Sequence, residues 1–450
     1  MPNLTADLGR FASRLNLKDI PAEAQNIAKT GITDCFGVMI AGSRDPAISM
    51  LDRELAGSDS LMQASLIPSL KKRNVEDAAL VNGAAAHVLD YDDVTLDGHP
   101  SAVLVPAILA QGEAMGASGA ELLTAYIAGY ETWAELLVRE PVPLHQKGWH
   151  PTAVRGVVAA ATACAKIRRL SPQKCQTAIA IAASMAGGLV ANFGSLTKCF
   201  QVGRAAQSGV LAARLADAGL TASPDALEHQ SGFLAAFSPT GERDLSLPFI
   251  AEDKVWHIGR QGLNVKRYPI CYATHRAIDA ALALTSKHDL QPADIDQIRV
   301  STGEMQMLML RNHEPKTAFE AKFSMQFAMA SSIVARAVGL SQLTDEFVAD
   351  PSVQGLFPKV KIETTKETMN GSAFAPSEAV EIRTANGQVL ASGPVVHAKG
   401  SMQHPLSRSE LQEKFADCLG DLGARAKANS FEKLMNLERL NGTADLLSLQ

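Results

Sequence analysis

The sequence lacks the features that mark several large classes of protein. Aromatic residues make up only 5% of its 450 residues, and neither sign of charge dominates, since 42 Lys and Arg face 47 Asp and Glu for a net charge of −5. Nucleic-acid-binding domains are normally basic, so this balance argues against a nucleic-acid partner. The six cysteines are scattered without a Cys-x-x-Cys pair, which argues against a disulfide framework and against a zinc or iron–sulfur site.

Motifs of nucleotide and metallohydrolase chemistry are also missing. There is no Gly-x-x-x-x-Gly-Lys-Ser/Thr loop, no Gly-x-Gly-x-x-Gly after a predicted strand and no His-Glu-x-x-His. Nucleotide-driven, nicotinamide-dependent and zincin reactions therefore lose support. The most apolar stretch, 178–191, is too short to span a bilayer, and the first residues lack a signal-peptide layout. We expect a reduced, cytoplasmic enzyme with no membrane partner.

What the sequence does contain is small and aliphatic residues at helical spacing. Hydrophobic residues make up 46% of the chain, and an alanine-rich composition with few aromatics is typical of closely packed helices. The 3.6-residue period predicts helices at roughly 76–90, 101–116, 120–138, 151–167, 172–192 and 203–218. The first 263 residues are therefore predicted to be all-helical.

The pattern changes after residue 263. Alternating runs at 297–302, 359–363 and 379–383 predict strands, and Asn386-Gly387 before 389–391 predicts a hairpin. Predicted helices at 269–287 and 318–338 lie between them, and the chain returns to helix after about 405. We predict a mostly α protein, with a large discontinuous all-helical domain at 1–263 and 402–450. A smaller α+β lid domain at 264–401 is inserted in it, with a ligand cleft between them.

Two His-Pro segments are the first candidates for a functional site. His99-Pro100-Ser101 and His150-Pro151-Thr152 each precede a predicted helix, where a proline fits the first helical position. Helix N-termini favour anions, so two converging ends would form a carboxylate-binding pocket that carries imidazoles. The alternative is coincidence, with both histidines on the surface.

An acidic run lies just before the first of these segments. Asp92 and Asp93 follow Asp90 and Tyr91, and such closely spaced carboxylates need a cationic or hydrogen-bonding partner. Either of the two could orient a catalytic histidine or lysine, or act as a base. The alternatives are a solvated helix C-terminus and a metal site with His99 and His150. The spacing is too loose for typical metal ligands, and we predict no metal.

Cationic residues that could bind a carboxylate occur at two places. Lys198 follows Gly194 in a segment predicted to be a loop, and Lys266-Arg267 open the second predicted domain. The alternative for each is a solvated surface cation. Ser195 and Lys198 also match the Ser-x-x-Lys motif of penicillin-binding enzymes, but the Lys-Thr-Gly at 29–31 lies upstream in a predicted helix instead of in a downstream strand.

A set of ordered motifs resembles one known family, the MmgE/PrpD family. The motifs are Asn82-Gly83, His87-Val88-Leu89-Asp90-Tyr91-Asp92-Asp93, His99-Pro100-Ser101, Gly148-Trp149-His150-Pro151-Thr152, Thr197-Lys198, Val202-Gly203-Arg204-Ala205-Ala206 and Lys266-Arg267-Tyr268-Pro269. Members include 2-methylcitrate dehydratase, cis-aconitate decarboxylase and iminodisuccinate epimerase. The resemblance implies a helical domain with a smaller lid domain, a homodimer, and no metal or organic cofactor.

The resemblance also implies a set of site residues. The implied catalytic residues are His99, His150, Asp93 (or Asp92), Lys198 and Lys266, and the implied substrate-binding residues are Asp92, Arg267, Thr197 and Tyr268. The sequence departs from the family at one place, because Phe327 stands in Phe323-Ser324-Met325-Gln326-Phe327 where relatives often have tyrosine. If that hydroxyl donates a proton in some relatives, this chain must use another donor or catalyse a different step.

The expected chemistry is proton transfer at a carbon next to a carboxylate of a di- or tricarboxylate. Lysines and helix N-termini would hold the carboxylates, and His99 or His150 would move the proton. A hydro-lyase resembling 2-methylcitrate dehydratase is the first expectation. An epimerase of an imino- or amino-dicarboxylate is the second and a cis-aconitate decarboxylase the third. A catalytically silent dimeric scaffold is the alternative from another class.

Overall fold

A computed structural model describes residues 3–55, 61–249, 256–369 and 374–448. The chain forms two compact units: unit 1 comprises Met1–Asn264 with Arg408–Gln450, and unit 2 comprises Val265–Ser407. Helices dominate the secondary structure, so the prediction of a mostly α protein is confirmed. Within these residues no helix is both long and apolar enough to cross a membrane.

The first part of unit 1 is helical apart from a short two-stranded antiparallel sheet. Its α-helices are α1 (Leu4–Arg14), α2 (Ala22–Gly42), α3 (Pro46–Glu54), α4 (Val75–Val88), α5 (Pro100–Met115), α6 (Gly119–Val138), α7 (Pro151–Ile167), α8 (Pro172–Ala183), α9 (Thr197–Ala218), α10 (Phe233–Phe237) and α11 (His257–Gln261), and its strands are β1 (Ala64–Ser65) and β2 (Lys72–Arg73). The core contains the fully buried aromatic side chains Phe36, Tyr126, Tyr130 and Trp133.

Two glycines bring α4 and α9 into backbone contact. A Cβ atom on Gly83 would lie 2.8 Å from the Cα of Gly203, and one on Gly203 would lie 2.2 Å from the carbonyl oxygen of Leu80. Only glycine fits at both positions, because any side chain would push the helices apart. This contact holds the two helices together and brings the start of α9 towards the end of α4, where several candidate residues lie.

The His-Pro segments begin two of these helices as predicted. His99 is the N-cap of α5 and His150 is the N-cap of α7, with Pro100 and Pro151 at the first helical positions. Neither imidazole caps its own helix with a side-chain hydrogen bond. Both rings are therefore positioned by the helix starts and remain available for other partners.

Two predicted helices differ from the observed ones. The helix predicted over 172–192 ends at Ala183, and a loop follows in which Gly188 has a φ of 134°. The helix predicted from 203 begins at Thr197, so Lys198 lies in the first turn of a helix instead of in a loop. Gly187, Gly188 and Gly194 in the loop between them disfavour a helix, and the apolar period alone does not locate the helix ends.

Unit 2 is an α+β structure built on one four-stranded sheet. Its elements are α12 (His275–His288), β3 (Ile295–Gly303), α13 (Glu304–Met309), α14 (Ala318–Ala321), α15 (Met325–Val334), α16 (Asp345–Ala349), α17 (Pro351–Gln354), β4 (Val360–Thr365), β5 (Ala379–Thr384) and β6 (Val389–Ala391). The strand order is β4-β3-β5-β6. β3 runs parallel to β4, with Val300 opposite Ile362, and antiparallel to β5, with Val300 opposite Val380.

The predicted hairpin is present, and one predicted helix is broken. β5 and β6 pair antiparallel around Gly387, which has a φ of 86°. The helix predicted over 318–338 is interrupted at Ser324, whose hydroxyl accepts a hydrogen bond from the backbone N–H of Phe327 and so begins α15. The ring of Phe327 is fully buried in the core of unit 2 and lies 6.2 Å from the ring of Phe347.

The last residues of the chain belong to unit 1 again. They form α18 (Arg408–Cys418), α19 (Ala424–Met435) and α20 (Thr443–Leu447). α18 packs on α2. Phe415 and Phe431 of this segment are buried and lie 5.7 Å apart between ring centroids. The C-terminal segment therefore contributes to the core of unit 1.

Candidate active site

The carboxylate of Asp92 lies within hydrogen-bond distance of two imidazole rings. Its carboxylate oxygens are 3.0 and 3.1 Å from Nδ1 of His87 and 2.9 Å from Nδ1 of His99, and its side chain is fully buried. Burial opposes its ionisation, but the two histidines attract and hydrogen-bond the carboxylate, so the net effect lowers the pKa of Asp92. An ionised carboxylate only accepts hydrogen bonds, so both Nδ1 atoms are the protonated ones.

This arrangement leaves the opposite nitrogen of each ring as the basic atom. The rings of His87 and His99 are 4.5 Å apart between centroids. Nε2 of His87 is buried and has no hydrogen-bond partner within the described part of the chain. A neutral imidazole whose Nδ1–H donates to a carboxylate carries its lone pair on Nε2. The pair therefore offers basic nitrogens that Asp92 holds in one tautomer.

His150 forms the third ring of this group. Its centroid lies 6.4 Å from that of His87, and its Nδ1 is 2.7 Å from Oε1 of Gln201 on α9. The amide of Gln201 donates in turn to the carbonyl of Leu189, which fixes the amide oxygen toward the ring. His150 thus also carries its proton on Nδ1. The rings of both predicted histidines lie near that of His87, so the structure brings them together.

A loop holds His150 against α9. The backbone N–H of His150 donates to the carbonyl of Gly188 at 3.0 Å, and the N–H of Val190 donates to the carbonyl of Gly148 at 2.9 Å. The same loop carries Phe193, whose ring contacts the His150 ring edge to face at 4.8 Å. Backbone pairing and ring packing together fix the direction in which His150 points.

Lys198 forms an ion pair with Asp90. The Nζ–Oδ1 distance is 2.7 Å, and the ammonium also lies 5.4 Å from the centroid of the Phe193 ring. Only 16% of the Lys198 side chain and 12% of the Asp90 side chain are exposed. Asp90 has a left-handed backbone with a φ of 52°, a conformation that aspartate tolerates better than most residues. The alternative prediction of a solvated surface cation at Lys198 is wrong.

The carboxyl of Asp93 contacts a hydroxyl group instead of an imidazole, although its backbone carbonyl lies 2.9 Å from Nδ1 of His99. It is fully buried and accepts a short hydrogen bond from the hydroxyl of Ser101, which in turn lies 2.7 Å from the Tyr126 hydroxyl. Burial raises the pKa of Asp93 to about 8, against the hydrogen bond from Ser101. Its carboxyl is therefore mostly neutral at pH 7. The alternative of a solvated helix C-terminus is wrong for Asp92 and for Asp93, since neither carboxyl reaches solvent.

Burial keeps two of the imidazoles neutral. It lowers the pKa of His87 to about 4, against the attraction of Asp92, and it lowers the pKa of His150 to about 2. The positive charge of Lys198 contributes to both shifts. Desolvation disfavours the charged form of a base. At neutral pH the group therefore combines neutral imidazole bases with one nearby ammonium.

The same atoms are the strongest candidate for metal binding within the described ranges. Donor atoms of His87, Asp92 and His99 all lie within 4.8 Å of one another. Metal coordination through Nδ1 requires a bare nitrogen, whereas both Nδ1 atoms are within hydrogen-bond distance of Asp92 and carry protons. The ammonium of Lys198 would also repel a cation bound there. The chemistry of this group fits hydrogen bonding better than it fits a metal.

Of the other predicted residues, one lies in unit 1 and three belong to unit 2. Thr197 begins α9 but is exposed. Lys266, Arg267 and Tyr268 belong to unit 2; Lys266 is buried, and the hydroxyl of Tyr268 donates to Asp279 at 2.6 Å. The hydroxyl of Tyr268 is therefore engaged within unit 2. The roles of Lys266 and Arg267 stay predictions.

Three residues of the group were not expected to belong to it. His87 lies in an alanine-rich helix, where a single histidine forms no pattern with its neighbours. In the sequence, Asp90 is one of several neighbouring acidic residues. Its left-handed backbone distinguishes it only in the structure. Gln201 lies one helical turn after Lys198 on α9, and this spacing is the signal that could have identified it.

Comparisons with known proteins agree with the resemblance seen in the sequence. The MmgE/PrpD N-terminal domain matches residues 6–246 and the MmgE/PrpD C-terminal domain matches residues 268–438. A cis-aconitate decarboxylase from Mus musculus is 30% identical over 380 residues, which cover 80% of this chain and 76% of the relative. The human protein is 30% identical over 385 residues, 83% and 78% of the two chains. A cis-aconitate decarboxylase from Aspergillus terreus is 25% identical over 473 residues, 99% and 95% of the two chains.

Proposed function

The chain belongs to the MmgE/PrpD family and is an enzyme of that type, and from this premise we propose a lyase that moves a proton at a carbon next to a carboxylate. The observation that carries the proposal is the group of three imidazoles whose Nδ1 atoms are held by Asp92 and Gln201. Beside them lies the ammonium of Lys198. A base and a cation are the two components that such a reaction needs.

The neutral imidazoles act on the substrate as bases and, once charged, as acids. A polyanionic substrate raises the pKa of a nearby imidazole, because an opposite charge favours the protonated form. Binding thus moves the pKa of His150 and His87 from their low values toward neutral pH. His150 or His99 transfers the proton, the ring of His87 lies near both, and Asp92 and Gln201 keep the basic Nε2 atoms in place.

Decarboxylation of cis-aconitate is the first reaction to test, because each of the relatives compared above carries that name. In this step the bond between the CH2 carbon and its carboxylate breaks and CO2 leaves. The electron pair forms a new double bond to the central carbon, and the former alkene CH takes up one proton. The ammonium of Lys198 stabilises the negative charge that develops. A protonated imidazole supplies the proton to carbon.

Dehydration and epimerisation share the same proton step. A hydro-lyase acting on 2-methylcitrate, ranked first from the sequence, removes a proton and expels hydroxide, so it needs an acid beside the leaving group. An epimerase returns the proton to the opposite face of the same carbon. Phe327 provides no hydroxyl for either role. We rank decarboxylation ahead of both because the relatives named above are cis-aconitate decarboxylases, and a silent scaffold remains the alternative from another class.

Several further features belong to the proposal as predictions. We propose that the reaction needs no metal or organic cofactor, since the imidazoles and Lys198 provide the acid, the base and the positive charge. A homodimer and a lid role for unit 2 follow from the resemblance, and a cytoplasmic location is predicted from the scattered cysteines. Lys266 and Arg267 are predicted to bind substrate carboxylates from unit 2, as cations commonly do.

The test is to incubate the purified protein separately with cis-aconitate, 2-methylcitrate and iminodisuccinate and to identify products by NMR. We expect CO2 loss from cis-aconitate. Water loss from 2-methylcitrate or racemisation of iminodisuccinate would reassign the reaction while keeping the common proton step. No turnover, no saturable binding and no thermal shift with any of the three would support the scaffold.

A further inference from the structure

Lys414, far from the site in sequence, holds the segment that carries two of its carboxylates. Its Nζ donates to the backbone carbonyl of Tyr91 at 2.9 Å and lies 4.0 Å from the centroid of the Tyr91 ring. Tyr91 stands between Asp90, which pairs with Lys198, and Asp92, which holds two imidazoles. Lys414 therefore contacts the residue between the two aspartates that orient the Lys198 ammonium and the imidazole bases.

The same ammonium is fixed from the other side by a carboxylate. Nζ of Lys414 is 2.5 Å from Oδ1 of Asp34 on α2, and both side chains are buried. An ammonium has three donors and no acceptor, so it can bind a carboxylate, a carbonyl and a ring face at once. Lys414 lies on α18. The C-terminal segment thus reaches the catalytic segment through one buried side chain.

The backbone at this point needs such support. Asp90 has a φ of 52°, and a non-glycine residue in the left-handed region costs free energy that the surroundings must supply. The next residue is the one whose carbonyl Lys414 binds. A loss of this contact would free the segment to relax, and both carboxylates would move with it.

We propose that Lys414 is a positioning residue for the active site. It acts through the Tyr91 carbonyl to hold Asp90 and Asp92 in the orientation that aims Lys198, His87 and His99. It does not touch the reacting atoms. Only the kinetic part of its test rests on the function proposed above.

The test must separate positioning from simple stabilisation. Lys414→Met alone leaves the Asp34 carboxylate buried without its cation, which can unfold a protein. The double variant Lys414→Met/Asp34→Asn removes both charges and still lacks a donor for the Tyr91 carbonyl. Lys166→Met is the matched control, because Lys166 also donates to a backbone carbonyl of unit 1, that of Ser13 at 3.1 Å, away from the imidazoles.

The first readout is independent of turnover. In wild-type protein labelled with 15N-histidine, we expect the Nδ1-protonated tautomers of His87 and His99, assigned through His87→Gln and His99→Gln. The folded double variant is expected to lose this signature, and Lys166→Met to keep it. An unchanged signature in the folded double variant would overturn the proposal, whatever the enzyme's substrate proves to be.

The second readout is the steady-state kinetics of the variants with the substrate that the NMR product assay identifies. The double variant is expected to lose about tenfold or more in kcat at a temperature where it is fully folded, because small displacements of catalytic groups are costly. Lys166→Met should stay within twofold of wild type. A double variant with wild-type kcat would show that Lys414 serves the fold alone.

Discussion

Lys198 and Asp90 form an ion pair across two helices, with the ammonium at the start of α9 and the carboxylate two residues beyond the end of α4. The close backbone approach of Gly83 and Gly203 makes this pairing possible. The pair fixes a cation beside neutral imidazoles, so an incoming carboxylate meets a positive charge that is already oriented.

Substitutions of Lys198 and Asp90 should separate the effect of the Lys198 charge from the effect of its position. Lys198→Met removes the cation, so we expect KM for the carboxylate substrate to rise about tenfold, together with a fall in kcat. Asp90→Asn keeps the ammonium but loosens it, so kcat should fall while KM does not rise. Steady-state kinetics on both variants check this.

The control for the lysine substitution is Lys174→Met. Lys174 pairs with Asp217 at 2.9 Å on the surface of unit 1, and 46% of its side chain is exposed. The Lys174→Met substitution should leave KM and kcat unchanged. If Lys198→Met left KM unchanged too, Lys198 would not bind the substrate.

Replacement of His150 should abolish turnover without unfolding the protein. His150→Gln keeps polar groups near Gln201 but removes the basic Nε2, so we expect kcat to fall by about a hundredfold or more, as is typical for a general acid–base residue. The variant's circular dichroism should match that of wild type. The exposed His229→Gln is the control and should be fully active. Near-normal activity of His150→Gln would remove this residue from the mechanism.

Asp92 and Asp93 should differ in how their contribution to stability depends on pH. Burial raises the folded-state pKa of Asp93 to about 8. The stability that protonated Asp93 contributes to wild type is therefore lost as pH rises from the unfolded-state pKa of this residue toward 8. Asp93→Asn is therefore expected to gain stability relative to wild type between pH 5 and 8, by about 1.4 kcal/mol per pH unit at most. Urea denaturation at each pH measures this difference.

Asp92 provides the matched comparison. Its folded-state pKa is lowered, so its stabilising contribution is present above its unfolded value and is lost only as pH falls through its folded value. Asp92→Asn should therefore be less stable than wild type by a constant amount between pH 5 and 8. If both variants showed the same pH dependence, the two carboxyls would not occupy the different environments described above.

Added metal should inhibit the enzyme, and removal of metal should leave it active. Zn2+ would have to displace the Nδ1 protons of His87 and His99 from Asp92, which would disorder the bases. We expect dialysis against EDTA to leave kcat unchanged, and Zn2+ to lower kcat only in excess, because the Nδ1 protons and the Lys198 ammonium oppose its binding. The control is His99→Gln, which should bind Zn2+ more weakly by calorimetry. Loss of activity on chelation that Zn2+ restores would establish a metal site.

The residues that could be predicted are those whose local sequence has a direct structural consequence. A His-Pro pair before an apolar run fixes a helix start, so the N-cap positions of His99 and His150 are confirmed. Asn386-Gly387 fixes a tight turn, so the hairpin of β5 and β6 is confirmed as well. In both cases the conformation depends on two or three adjacent residues.

The remaining features depend on contacts between distant parts of the chain. The choice between Asp92 and Asp93 is set by which carboxyl turns toward His87, and neighbouring residues of equal charge carry no signal for that. Helix α9 begins at Thr197, before its predicted start, and Lys198 in its first turn pairs with the distant Asp90. The contact of Lys414 with Tyr91 joins residues more than three hundred positions apart.

The most direct test of the central claim follows solvent deuterium into carbon. The protein is incubated in D2O with cis-aconitate, 2-methylcitrate and iminodisuccinate, and deuterium next to each carboxylate is measured by NMR and mass spectrometry for wild type and His150→Gln. We predict incorporation at one such carbon by wild type and incorporation at least a hundredfold slower by His150→Gln, in keeping with the loss of a general acid–base group. Equal incorporation by both proteins, or neither deuterium incorporation nor loss of a carbon-bound proton by wild type with any of the three, would contradict the account.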